Sequence, residues 1–435
     1  MTAPTSSAPS VAAPAGRAPA APLSERAQAI RNQLVGRVDA IDLVRGLVMV
    51  IMLLDHTRDF THMSGFLMDP LDNERTTPML YATRWITHLC ATTFVLLAGT
   101  SSGIQRIRGT PPNDLAWFLF SRGLWLVVME LTVVRLVTWW NIMPNMLALL
   151  QVIWVIGVSM IALAFLVKLP MRVVGLIGLA IIIGHNALDA IQVPGFRGPD
   201  GPIPSAGAKL WMVLHQGGFF RITGPGSPMV LAMYPLIPWL GVLLAGYGLA
   251  ELYAIDAARR RAWLFGIAAA MLVTFIALRT GNIYGDPLRW SPQPTTARSI
   301  MSYMNVQKYG PSLLFTCATL FVPMLLLAIN DRRPLQGTIA RALVTYGRVP
   351  MFFYLLQWMW AKIAGLFVAL AYGRDTRLLT MNVVDTFTFL PKEWGGPLWL
   401  TYVCWALGAV LLYFPCRWYA DLKARRKDLT LLRYL

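Results

Sequence analysis

Between Ile41 and Cys416 the chain is a succession of long apolar runs. A helix needs about 20 such residues to cross a bilayer. Ten spans are predicted: 41–61, 80–104, 115–137, 144–167, 171–190, 229–250, 262–279, 311–329, 347–371 and 397–416. The fourth and fifth are separated only by Lys168, Leu169 and Pro170, a tight turn. Of 435 residues, 56% are hydrophobic and 14% charged, which excludes a soluble domain of this length. The expected fold class is all-α: a polytopic integral membrane protein of about ten transmembrane helices. No internal repeat of about 20–50 residues is evident.

Residues 1–36 are rich in Ala, Pro and Ser and read as a disordered tail, with a short interfacial helix around Ser24 to Val35. Residues 37–420 form the membrane domain, and 421–435 a basic tail. The net charge of +17 would suggest nucleic acid in a soluble protein. Here the basic residues lie in short loops and tails, so they set topology, and no nucleic-acid partner is expected. Twenty Lys and Arg fall in one set of loops and tails, and ten in the alternate, longer loops. The positive-inside rule then puts both termini in the cytoplasm. Cys90, Cys317, Cys404 and Cys416 are scattered in apolar segments, without metal spacing, and read as buried hydrophobes. No metal site or P-loop is expected.

This orientation places all five histidines, at 56, 62, 88, 185 and 215, on the outer side. The outer loops are long and rich in Pro and Gly, as in VPGFRGPDGPIPS, a pattern found more often in functional loops than idle ones.

Charged residues within the spans are costly and tend to face a polar cavity or a partner. In RGLVMVIMLLDHTRDF, Arg45 and His56 stand eleven residues apart. They return to within about 20° of one helix face, about 16 Å apart along the axis. Asp42 can pair with Arg45, and Asp55 with Arg58, both at i,i+3. These pairs suit a functional stripe; the alternative is an interfacial Asp42–Arg45 pair with Asp55–Asp59 merely ending the helix. Arg84 and His88 share a face four residues apart in the second span, and His185 and Asp189 repeat that spacing in HNALD. Each histidine could also be structural. Glu130, deep in the third span, suits neutralisation of Arg122 or Arg135. His215 in LHQGGF and His62 carry weaker signals, and the tryptophans near span ends suit an interfacial belt.

An outer imidazole with a deeper arginine on its stripe suits acyl transfer. Neutral imidazole can take a proton from a hydroxyl or amine, or accept the acyl group itself. Arginine can bind the phosphates of an acyl-CoA.

RVDAIDLVRGLVMVIMLLDH resembles the first span of bacterial membrane proteins related to heparan-α-glucosaminide N-acetyltransferase. Its Arg–ten residues–His spacing is similar to that of the wider acyltransferase family 3. The resemblance continues through RWITHLCATTFVLLAGTS, GHNALD, LWMVLHQGGF, YPLIPWLGVLLAGY, NVQKYGPSLLF and YGRVPMFFYLLQW, over roughly residues 37 to 420. It implies a multi-span transferase in the bacterial inner membrane. Such an enzyme takes an acetyl or short acyl group from cytoplasmic acetyl-CoA or another acyl-CoA. The acceptor is a periplasmic or lipid-linked sugar. Apart from the resemblance, membrane lipids and a second copy of the chain are expected partners. Arg45 and His56 match the family's Arg/His pair, and Gln307 and Lys308 match a polar pair. The region before FVLLAGTS offers His88 as counterpart of an active histidine. Two positions depart: Gln357 stands where a histidine is expected, and Gly310 where KYPPS has its second proline.

The expected site therefore has His56, Asp55 and His88 as catalytic residues and Arg45 and Lys308 as donor-binding residues. Arg84, His185, Asp189, His215 and Gln357 lie toward the acceptor. Two other classes stay open: a transporter or flippase whose path the polar stripe lines, and a non-catalytic membrane protein that keeps the family fold.

Overall fold

The computed structural model describes residues 39–65, 68–140, 148–195, 203–224, 227–331, 336–380, 394–426, 428, 429 and 432. The tail at 1–36 and its expected interfacial helix lie outside them.

Ten helical segments follow the ten predicted spans. Among the described residues, seven helices are long and apolar enough to cross a membrane: Pro112–Trp139 (α4), Met171–Ala190 (α6), Leu236–Ala254 (α8), Ala257–Gly281 (α9), Leu313–Asn330 (α11), Pro350–Ala371 (α13) and Leu398–Arg425 (α14). The other three are Asp39–Thr61 (α1), His88–Ile107 (α3) and Val152–Leu166 (α5). Charges cluster at both ends of α1, α3 carries Thr and Ser along its length, and α5 has only 15 residues. Shorter helices Pro78–Ile86 (α2), Ala206–Trp211 (α7), Thr296–Met304 (α10) and Thr338–Arg348 (α12) join them. The chain is an all-α polytopic membrane protein.

The helices pack through small residues, as expected where lipid is as apolar as the side chains. A Cβ on Gly46 of α1 would lie 1.8 Å from the Leu343 carbonyl oxygen of α12, and one on Gly347 would lie 1.8 Å from that of Asp42. Gly99 of α3 is equally close to α8, at 2.0 Å from the Leu243 carbonyl. α1 thus has no room to shift against α12.

Three features differ from the sequence expectation. The predicted second span is broken at Thr87, whose hydroxyl donates to the Arg84 carbonyl (2.7 Å) and separates α2 from α3. Arg84 and His88 consequently do not share a helix face. Among the described residues, the fourth and sixth predicted spans open with strands rather than helix. Ala148–Leu150 (β1), Gly218–Arg221 (β2) and Met229–Ala232 (β3) form a sheet in the order β1-β3-β2, with β1 parallel and β2 antiparallel to β3. Pro235 delays α8 until Leu236, so the apolar residues before it are satisfied by strand pairing instead. Finally, Glu130 opens a π-helical segment of α4, and its carboxylate accepts from the Trp154 N–H (3.0 Å) at the start of α5. It caps that helix rather than serving Arg122 or Arg135.

Candidate functional site

α1 carries the site. Arg45, Met49, Met52 and His56 recur at i, i+4, i+7 and i+11, one stripe of the helix. All four face open space. A cavity of about 310 Å³ is lined by Arg45, Met49 and Met52, and a larger one of about 650 Å³ by Met52, Asp55 and His56. Four residues line both: Met52, Phe94, Val152 and Tyr354. They form a shared waist between two chambers stacked along α1.

The smaller chamber is basic. Arg45 donates to Asp42 (3.0 Å), to the Gly347 carbonyl (3.1 Å) and to Ser101 Oγ (2.9 Å), which holds it against the wall. Arg122 of α4, Arg348 at the end of α12 and Lys423 of α14 line the same chamber. Arg348 lies 3.3 Å from Asp39 and 3.8 Å from Asp42. Sequence reasoning missed Arg122, Arg348 and Lys423, because helices far apart in the chain converge on this end. Their location in or beside predicted spans was the available signal.

The larger chamber holds His56. Its ring lies against Trp358, centroid to centroid 3.6 Å, and its buried Nδ1 has no hydrogen-bond partner among the described residues. Asp55 faces Arg58 (3.0 Å) through one oxygen and Arg84 (2.6 Å) through the other. Arg84 continues to Tyr309 Oη (3.3 Å), and Lys308 lines the chamber beside it. Lys308 lies outside the spans, and burial pushes its ammonium below the usual lysine range, with Arg84 adding to the effect. The sheet makes one wall, through Leu149, Phe219, Leu231 and Ala232.

The predicted site residues divide. Asp55, His56, Arg84 and Lys308 meet in the larger chamber. Arg45 and Lys308, expected together as donor ligands, line different chambers. The reason is geometric: Lys308 precedes α11 at the His56 end, three helical turns from Arg45. His88 is fully buried against Phe315 (5.3 Å) and Trp85 (6.4 Å), outside both cavity linings. Gln357 is fully buried, makes no side-chain hydrogen bond among the described residues, and also lies outside both linings.

His185, Asp189 and His215 form a separate cluster behind the sheet wall. The last turn of α6 is 3₁₀-helical over His185–Ala190, and His185 and Asp189 stay within 4.8 Å of each other without the expected imidazole–carboxylate hydrogen bond among the described residues. Asp189 instead accepts from Asn186 (2.8 Å) and lies 3.7 Å from His215 Nε2. His62, outside the spans, holds Ser64 Oγ at 2.6 Å, and burial lowers its ring to about 4.

Gly310, where the resembled motif has proline, has φ 76°. Proline is locked near −65°, so this turn excludes it.

A helical membrane protein with a basic chamber and a histidine chamber that share four lining residues defines the class. The profile of the family described as heparan-alpha-glucosaminide N-acetyltransferase, catalytic, matches residues 37–285. The chain belongs to that family of membrane acetyltransferases. The match includes Arg45, Asp55, His56, Arg84, His88, His185, Asp189 and His215, and stops before Lys308 and Gln357. No curated protein matches the chain.

Proposed function

We propose that the protein moves an acetyl or short acyl group from cytoplasmic acyl-CoA to a hydroxyl or amine of a periplasmic or lipid-linked sugar. The observation that carries this reading is the meeting of the two chambers at Met52, Phe94, Val152 and Tyr354. The basic chamber suits the phosphates of a CoA, through Arg45, Arg122, Arg348 and Lys423. The waist suits passage of the slender pantetheine arm and its thioester. The wider chamber suits a sugar stacked on aromatic side chains.

In this account His56 takes the proton from the acceptor as its oxygen or nitrogen attacks the thioester carbonyl, and the CoA thiolate leaves through the basic chamber. Transient acylation of His56 is the alternative route of the same transfer. Asp55, held by Arg58 and Arg84, keeps a fixed negative charge beside the imidazolium that forms. Lys308 and Tyr309 serve the acceptor and the developing oxyanion. The basic chamber faces the cytoplasm of a bacterial inner membrane, as do both termini.

The test uses inner-membrane vesicles with native lipids and acetyl-labelled acetyl-CoA. Label is expected in a glycan or lipid-linked sugar for the wild type and not for His56→Ala. Acetyl-CoA binding without any transfer, in folded protein, would overturn the reading. Substrate uptake driven by an ion gradient would point to transport instead.

A further inference from the structure

We propose that His185, Asp189 and His215 bind a divalent transition-metal ion, zinc by donor chemistry, which staples the wall of the larger chamber. One ligand atom from each residue falls within 4.8 Å of the other two, and His215 Nε2 lies 3.7 Å from Asp189 Oδ1. Zinc–ligand distances of about 2.0–2.1 Å give tetrahedral edges of roughly 3.4 Å, so small rotations close the site. Two imidazoles and a carboxylate are a zinc donor set that leaves a fourth position for water.

An independent observation points to a missing ligand. His185 is buried at 4% exposure, and among the described residues neither ring nitrogen has a hydrogen-bond partner of good geometry. A buried polar group without a partner costs free energy, and a metal would supply one. The surrounding groups match the outer contacts that orient metal ligands. Asn186 donates to Asp189 Oδ2 (2.8 Å), and the Pro311 carbonyl faces the His185 ring. Trp211 stacks on His215 (5.0 Å). His215 Nε2 donates to the His185 carbonyl (2.9 Å), which brings the two histidines together. Ligation through that nitrogen would replace this hydrogen bond and place the ring N–H on Nδ1. Asp189 is partly exposed and offers the entry path.

The ion would not touch the reacting atoms. His215 is the penultimate residue of a π-helical turn, and the next three residues, Gln216, Gly217 and Gly218, line the histidine chamber. Gln216 is also docked on Val193 through two hydrogen bonds of 2.8 and 2.9 Å. A metal joining the end of α6 to this turn would hold the chamber wall in register.

The test treats full-length protein in detergent with a chelator, restores zinc, removes the excess and measures metal by mass spectrometry. Cobalt serves as a spectroscopic probe. One zinc per chain is expected, with visible cobalt absorption of four-coordinate character. His185→Gln and Asp189→Asn each abolish retention while eluting as folded protein, whereas His62→Gln retains the metal. Zinc is also expected to raise the Tm of the wild type and not of His185→Gln. Absence of zinc above the chelated blank in folded wild type, or equal retention in His185→Gln, would overturn the proposal.

Discussion

Arg84 Nη1 lies 2.6 Å from Asp55 Oδ2, and the two side chains are buried together in the wall of the His56 chamber. The other oxygen of Asp55 faces Arg58, so its carboxylate is committed to two guanidinium groups rather than to the neighbouring imidazole. Removing one member of a buried pair strands the other. Arg84→Ala is expected to destabilise the protein by roughly 3–5 kcal/mol. Arg84→Lys should cost less, because it keeps a charge but not the fork. Thermal unfolding in detergent measures both.

Arg348→Gln separates the chambers functionally. Arg348 lines the basic chamber, away from His56, so its loss should weaken donor binding. The KM for acetyl-CoA is expected to rise about tenfold, as for a charge-assisted hydrogen bond of about 1.5 kcal/mol, with little change in kcat. Steady-state kinetics with varied donor concentration checks the split.

Val152→Trp tests the waist. Val152 begins α5 and lines both chambers. A bulky side chain there is expected to abolish transfer while acetyl-CoA binding to the basic chamber persists. Isothermal titration and the transfer assay together read the two effects.

A methyl group at Gly46 has nowhere to go, with the Leu343 carbonyl 1.8 Å from its position. Gly46→Ala should force α1 from α12, cost roughly 1–3 kcal/mol and disturb the Arg45–Gly347 hydrogen bond of 3.1 Å. A lowered Tm together with weaker donor binding is the expected signature.

Lys308 makes stability depend on pH. Its folded pKa is lowered, chiefly by burial and then by Arg84. Between that value and the ordinary lysine value the unfolded chain binds more protons than the folded one, so stability rises with pH across this window. Lys308→Met should remove that slope. Chemical denaturation at several alkaline pH values measures it.

The helical architecture was readable because a span is a local property: about 20 apolar residues suffice to mark it. The stripe from Arg45 to His56 was readable for the same reason, since helical periodicity alone sets it. What failed was whatever depended on distant chain. Thr87 breaks a span whose hydropathy gives no sign of a break. The β1-β3-β2 sheet draws on residues 148–232, and its β1 and β3 are apolar enough to pass for span ends. Arg348 and Lys423 join Arg45 only through packing of α12 and α14 near α1. The His185 and His215 pairing depends on a 3₁₀ turn and a π turn that no periodicity predicts.

The central claim is a single path from the basic chamber to His56, with donor and acceptor on opposite faces. Sealed vesicles of defined orientation test it most directly, with acetyl-labelled acetyl-CoA supplied to one face at a time. Labelled sugar is expected only when the donor reaches the Arg45 side, with the product on the His56 side and none formed by His56→Ala. Equal labelling from either face, or transfer that survives His56→Ala, would contradict the account.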